Sequence, residues 1–301
     1  MPRGGRRAGA GRHTGSGRFG EPTVPIRVPE SMLADFNDQL LGHLAAKAAA
    51  QAKTPIELER RAFDISVPCS IHAGEAIDVL RALFHTNVRA AAVVLDPWYR
   101  ACSARGRSEA LREAVQLIHA AARVADHIFF WGWPESVGPL VDFSPTGWKL
   151  ERWLTWTYTN APSRAVGWRP AQQACLHFRR HRAPVYPSNF FTDDQRARKA
   201  SGGLMFCPGP PSVINHPLIV GWCGKNESVG FKGQKPVAVI EQLLKMVTKP
   251  GSLVIDPTCG SGTTGVAAMG LGCRVILSDR ECKARELAAR RMLIAYPTCS
   301  D

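Results

Sequence analysis

Asp96-Pro97-Trp98-Tyr99 follows the apolar run Ala90-Ala-Ala-Val-Val-Leu95, so a carboxylate, a rigid turn and two large aromatics gather at the end of one buried element. Such a set suits work on an exocyclic amine of adenine or cytosine, whose lone pair is delocalised into the ring and nucleophiles poorly. The carboxylate of Asp96 and the carbonyl of Pro97 can accept the two amine protons and turn the lone pair toward an incoming methyl. Tyr99 can stack on a base extruded from its helix. The methyl would come from a sulfonium whose charge vanishes in the transition state, so positioning accounts for most of the catalysis and no metal is required. A structural turn followed by two core aromatics would use the same residues.

A second constellation is Ile255-Asp256-Pro257-Thr258-Cys259-Gly260-Ser261-Gly262-Thr263-Thr264, between a buried strand and a helix. Glycines there let the backbone turn tightly and approach a ligand, and the following helix presents free N–H groups to a carboxylate or phosphate. The next strand ends at Asp279, whose carboxylate can accept both hydroxyls of a ribose or can simply cap the next helix.

These residues need a scaffold that brings strand ends together, and the apolar rhythm supplies one. Strands are expected at Val67–Ile71, Ala90–Leu95, His127–Trp131, Trp153–Tyr158, Ala174–Phe178, Ser252–Ile255 and Arg274–Leu277. Helices are expected at Ala76–Phe84, Leu111–Val124, Pro236–Val247, Thr263–Met269 and Ala284–Ile294. Alternation of the two implies right-handed crossovers and a mostly parallel sheet covered on both faces. Trp153, Trp156 and Tyr158 are read as inward-pointing core residues. Between 184 and 232 the rhythm is lost among Pro, Gly, Asn, aromatic and basic residues, as in a recognition insert. Its Tyr186, Asn189 and Gln195 could read base edges, and Arg196, Arg198, Lys199, Lys225 and Lys232 could neutralise phosphates. A loop with solvated charges is the plain alternative.

Lysine and arginine outnumber acidic residues 38 to 25, a net charge of +13 that suits a polyanionic partner. Residues 1–23 form a basic Gly/Arg arm with too little apolar content to repay ordering. Residues 24–65 open with a short extended stretch and a helix, an order that resembles ribbon-helix-helix segments, which work as dimers; a helix packed on the main domain is the alternative. The nine cysteines show no Cys-x-x-Cys pair, so no zinc knuckle or disulfide framework is indicated, and free thiols in a reducing cytoplasm are the expectation. No apolar run approaches the ~18 residues of a membrane span.

The two motifs together, and their order, resemble those of amino-group DNA methyltransferases of the beta class. Their catalytic motif, Asp-Pro-Pro-Tyr, precedes the target-recognition region, and the cofactor motif Asp-Pro-x-x-Gly-Ser-Gly-Thr-Thr follows it. The segments Gly233-Gln234-Lys235-Pro236 and Gly74-Glu75 are also similar to this family, and the resemblance covers roughly residues 66–292. It implies a Rossmann-like α/β fold with a mostly parallel seven-stranded sheet, S-adenosylmethionine as cofactor and double-stranded DNA as partner. It further implies that Asp96, Pro97, Trp98 and Tyr99 are catalytic, and that Asp256, Pro257, Gly260, Ser261, Gly262, Thr263 and Thr264 cradle the methionine part of the cofactor. Asp279 would hold the ribose and Lys235 would lie near the cofactor carboxylate. Trp98 departs from the family's second proline and Glu75 from its usual aspartate. Asp at the first catalytic position goes mainly with adenine N6 in that family, Ser with cytosine N4 and Asn with protein glutamine. The competing expectation is a DNA-binding regulator with a silent methyltransferase-like domain.

Overall fold

The computed structural model describes residues 63, 66–97, 104–161, 167–220 and 223–296. The basic arm 1–23, nearly all of segment 24–65, and Trp98 and Tyr99 lie outside the described residues. In chain order the elements are β1 (Cys69–Ala73), α1 (Ala76–His85), β2 (Ala90–Leu95), α2 (Ala104–Val124), β3 (Ala125–Gly132), β4 (Trp148–Thr157) and β5 (Gln172–Arg180). They continue with α3 (Asp193–Ala200), β6 (Val213–Asn215), α4 (Val237–Val247), β7 (Leu253–Asp256), α5 (Thr263–Gly270), β8 (Arg274–Asp279) and α6 (Cys282–Ala295).

All the strands join one sheet in the order β1-β8-β7-β2-β3-β5-β4-β6. Only β5 runs against the others, since it is antiparallel to both β3 and β4 while every other pairing is parallel. The sheet is thus the expected Rossmann-like one, with eight strands instead of seven. The additional strand is β6, three residues from within the irregular 184–232 stretch, too short to show a period of its own.

Strand β2 is almost wholly apolar because both its faces are covered. Val93 and Leu95 join the core beneath α1 and α2, with Val79, Leu80, Leu83, Ile118, Ile128 and Phe130. Ala92 and Val94 join the opposite core beneath α4, α5 and α6, with Ile240, Leu244, Ala267 and Ala288. The stripe Val239, Ile240, Leu243, Leu244 and Val247 on α4 repeats at helical spacing, which is why that helix is readable from sequence.

The β4 strand departs from expectation twice. It begins at Trp148, five residues before the expected start, because its first half is polar: Glu151 pairs with Lys149 at 2.7 Å and with Arg179 of β5 at 3.5 Å. Its register against β5 shifts between Leu150 and Arg152. Trp156 and Tyr158 are buried in the core beneath α4, as expected, but Trp153 packs against the opposite core. Residues an odd number apart on a strand face opposite ways, so the three aromatics do not share a face.

The 184–232 stretch crosses from one edge of the sheet to the other. At its start, Pro184 accepts a hydrogen bond from His127 (2.9 Å), near the amino end of β3, and Tyr186 N–H donates to Met246 O at 2.7 Å. Asn189 donates to Lys245 O at 2.8 Å, at the carboxyl end of α4. Gln195 completes a capping box with Thr192 at the start of α3. Later, β6 pairs with Thr155–Thr157 at the opposite edge, where Asn160 and Leu218 exchange two hydrogen bonds of 2.9 and 2.8 Å. Tyr186 and Asn189 therefore sit at the amino edge of the sheet, and the Gln195 amide is engaged in a cap, so the base-reading expectation for these three is corrected.

Candidate active site

Five parallel strands, β1, β8, β7, β2 and β3, end along one edge, the place where open α/β sheets bind ligands. Adjacent strands β2 and β7 pair through Val93 and Ile255, so the Asp96-Pro97 turn and the Asp256–Gly262 turn leave the sheet side by side. Neighbouring β8 delivers Asp279 to the same edge.

Thr258 ties the two turns together. Its hydroxyl accepts the Asp96 backbone N–H at 2.9 Å and donates to Asp256 Oδ1 at 3.2 Å, while its own N–H donates to the same oxygen at 2.9 Å. Asp256 Oδ2 accepts the Thr264 hydroxyl at 2.5 Å. Burial pushes the Asp256 carboxyl up to about 6, further than the hydrogen bonds from Thr264 and Thr258 can pull it down. Asp256 is thus spent on bracing the turn and the first helical turn of α5 rather than on reaching a ligand.

Gly262 precedes α5 in a left-handed conformation, φ 75°, and no side chain caps the helix. The first N–H groups of α5 are those a capping side chain would otherwise satisfy, and they face the mouth of the turn. The hydroxyls of Ser261 and Thr263 point inward. Thr263 donates to Lys235 O at 3.1 Å, and Arg291 of α6 donates to Thr263 Oγ1 at 2.8 Å and to Ser261 O at 3.3 Å. The glycines, too, have packing reasons: a Cβ on Gly260 would meet the Phe231 ring at 2.9 Å, and one on Gly262 would meet Ala288 Cβ at 2.9 Å. The expectation that a Gly262 side chain would invade ligand space is corrected accordingly, since it would invade α6.

Asp279 caps the next turn, accepting Gly260 N–H at 3.0 Å and Glu281 N–H at 2.9 Å on separate oxygens. Each oxygen retains a second acceptor direction, so the cap and a vicinal diol can be served together.

Lys235 is buried, 7% exposed, and its ammonium forms an ion pair with the Asp96 carboxylate and lies 4.9 Å from the centre of the Trp131 ring. The aromatic face and the carboxylate together compensate its charge. A second buried cation went unnoticed in the sequence: Arg291 pairs with Glu227 at 3.1 Å, and Glu227 in turn accepts Val237 N–H at 2.7 Å. Arg291 thereby fixes the segment before α4 to the glycine turn. Arg291 looks like one more solvated charge on a helix rich in Arg and Lys, and only the spacing to buried Ala288 and Met292 hints that it faces inward.

Two cavities lie elsewhere. One of about 270 Å³ at the amino edge is lined by Arg89, His127, Tyr186 and Arg274, and one of about 500 Å³ lies beside α1 and α2 and is lined by Ile77, Phe84, His119 and Trp148. Neither contains the acceptor groups or the glycine turn, and the chemistry-bearing residues converge at the carboxyl edge. That edge offers an acceptor carboxylate, Asp96, beside a turn built for a ligand with a carboxylate at one end and a diol at the other.

Comparison with known proteins agrees with this geometry. Residues 137–290 match the family described as DNA methylase (N6_N4_Mtase). The chain is 39% identical over 71 residues to the Type II methyltransferase M2.DpnII of Streptococcus pneumoniae, covering 24% of this chain and 25% of that protein. It is 28% identical over 153 residues to the Type II methyltransferase M.HpaI of Haemophilus parainfluenzae, covering 48% and 46%. These alignments span between a quarter and just under half of the curated relatives. Among solved structures, the M1.HpyAVI–SAM complex superposes with a TM-score of 0.58 at 18% identity, over 74% of this chain and 98% of that one. PvuII DNA methyltransferase, described as cytosine-N4-specific, does so with a TM-score of 0.52 at 14% identity, over 77% and 92%. At these identities the superpositions establish a shared fold.

Proposed function

The chain belongs to the DNA methylase family of N6/N4 type, and we propose that it transfers a methyl group from S-adenosylmethionine to an exocyclic amine in double-stranded DNA, adenine N6 in particular. The observation that carries this reading is the Thr258 bridge, which sets the Asp96 turn directly against the Asp256–Gly262 turn. An amine acceptor and a cofactor turn are useful together only if they are adjacent.

The donor set fits the cofactor. Asp279 keeps acceptor directions for the ribose hydroxyls, and the N-terminus of α5 offers N–H groups to the methionine carboxylate. When bound, S-adenosylmethionine supplies an electrophilic methyl on a positively charged sulfur. Asp96 accepts an amine proton of the target base and Pro97 O the other, which turns the nitrogen lone pair outward. The Lys235 ammonium holds Asp96 in its ionised, acceptor-only form until the base arrives. Adenine is favoured because Asp96 occupies the position that carries Asp in the adenine enzymes this motif resembles. The cytosine-N4 alternative shares the fold, so the fold itself does not discriminate.

The test is incubation of the protein with tritiated S-adenosylmethionine and mixed-sequence DNA, followed by mass spectrometry of the nucleosides. N6-methyladenosine is expected. N4-methylcytidine alone would overturn the adenine assignment, and tight cofactor binding with no transfer to any DNA would favour the silent regulator.

A further inference from the structure

Trp168 is 99% exposed, the highest among the large hydrophobic residues described, and it lies on the connection between β4 and β5. Exposing a whole indole is costly unless it serves a contact. The sheet register shows where this connection stands. Leu95 pairs with Phe130, and Phe130 with Leu176, so Asp96 is level with Trp131 and Cys175. From Cys175 the hairpin rises to the last pair, Thr157 with Gln172, about 10 Å above Asp96 at ~3.3 Å per residue. It stands two strands to the side of β2, another ~10 Å at the usual strand spacing. Trp168 lies four residues beyond Gln172, on the same sheet edge as Asp96. Trp133, 40% exposed, follows β3 in the gap between them. The offset between hairpin and Asp96 is comparable with the ~12 Å width of a DNA major groove.

The charge of the connection agrees with a nucleic-acid contact. From Tyr158 to Gln173 the sequence holds no acidic residue and two arginines, 164 and 169, with Arg169 directly beside Trp168. By contrast, Tyr186 and Asn189, on the more obviously irregular stretch, are at the far edge of the sheet.

On the reading that this protein methylates DNA, we propose that the β4–β5 connection is a DNA-contacting arm. Trp168 stacks on the bases left at the target site when the target swings out toward Asp96, and Arg169 takes a neighbouring phosphate. Extrusion forfeits stacking and pairing, and an indole placed against the orphaned stack restores part of it without reading sequence.

The experiment uses the full chain and a duplex oligonucleotide bearing a site identified by modified-base sequencing, with a matched duplex whose target base faces an abasic position. Trp168→Ala should lower kcat/KM on the paired duplex about tenfold or more, while Trp168→Phe keeps most of the rate. The deficit should shrink on the abasic duplex, where extrusion costs less, and the melting temperature and S-adenosylmethionine affinity should match wild type. A Trp168→Ala protein that methylates the paired duplex within about twofold of wild type, or is equally impaired on both duplexes, would overturn the inference. A wild type that methylates no DNA would remove the methyltransferase reading and this inference with it. An active wild type with an indifferent Trp168→Ala removes the inference alone.

Discussion

Replacing Gly262 with alanine separates two roles a glycine can have at such a turn. The residue sits at φ 75° with its missing Cβ aimed at α6, 2.9 Å from Ala288 Cβ and 3.0 Å from Ala288 Cα. A left-handed non-glycine residue costs about 1–2 kcal/mol, and forcing a methyl into filled space about 1–3 kcal/mol. G262A should therefore lose about 2–5 kcal/mol, a large part of a typical domain's stability. Ala288→Gly removes the obstructing methyl at its own cost of about 1 kcal/mol for a glycine inside a helix. In the double variant the overpacking part disappears and the backbone strain remains, so urea unfolding of all four proteins should give a coupling of about 1–3 kcal/mol. S-adenosylmethionine affinity of the folded double variant, measured by calorimetry, should stay within about tenfold of wild type. Additive losses, or a G262A protein that keeps its stability but loses the cofactor, would refute the packing argument and return the glycine to the ligand.

Asp96→Asn keeps a polar partner near buried Lys235 but cannot accept as an ionised carboxylate, so methyl transfer should fall by about a hundredfold or more with cofactor affinity nearly intact; tritium incorporation within about tenfold of wild type would sink its role. Stability should also depend on pH in two opposing ways. Burial holds His127 and His177, 3.0 Å apart, well below the usual imidazole range, so the unfolded chain takes up their protons first and stability is lost as pH falls from 6.5 toward about 4. Asp256 is raised to about 6, so its contribution is present below pH 3.8 and lost as pH rises through 6. Asp256→Asn should therefore make the acid-side loss steeper in denaturant titrations between pH 7 and 4; an unchanged or shallower slope would contradict the burial of one group or the other.

Asp96, Asp256 and Asp279 were legible because each ends an apolar run, and a strand buried on both faces shows its carboxyl end as the place where that run stops. Asp256 was legible as a member of the site but not in its role, since its hydrogen bonds to Thr258 and Thr264 depend on the turn's shape. The first half of β4 was hidden because its charges are paired across to β5, and Trp153 was misassigned because a bulge and an odd spacing move it to the other face. Irregular sequence marked the 184–232 stretch as an insert, yet nothing in its composition says which sheet edge its first residues follow. Lys235 was selected, but its buried partner Asp96 is 139 positions away, and Arg291 to Glu227 spans 64 positions; no local pattern links such pairs.

The strand order also governs how this molecule comes into being. Edge strand β1 has no neighbour but β8, and Cys69 meets Val275, 206 positions later; Val93 of β2 meets Ile255, 162 positions later. A chain emerging from the ribosome therefore carries β1 unpaired and β2 with one open edge until nearly all of it has been made. Contacts so distant in sequence close slowly, and unpaired apolar strands associate with whatever offers an edge. Sheet and methyl-transfer site are completed in one late step, when β7 and β8 slot between β1 and β2, so a chain cut short before Leu253 holds the Asp96 turn but is sticky and inert.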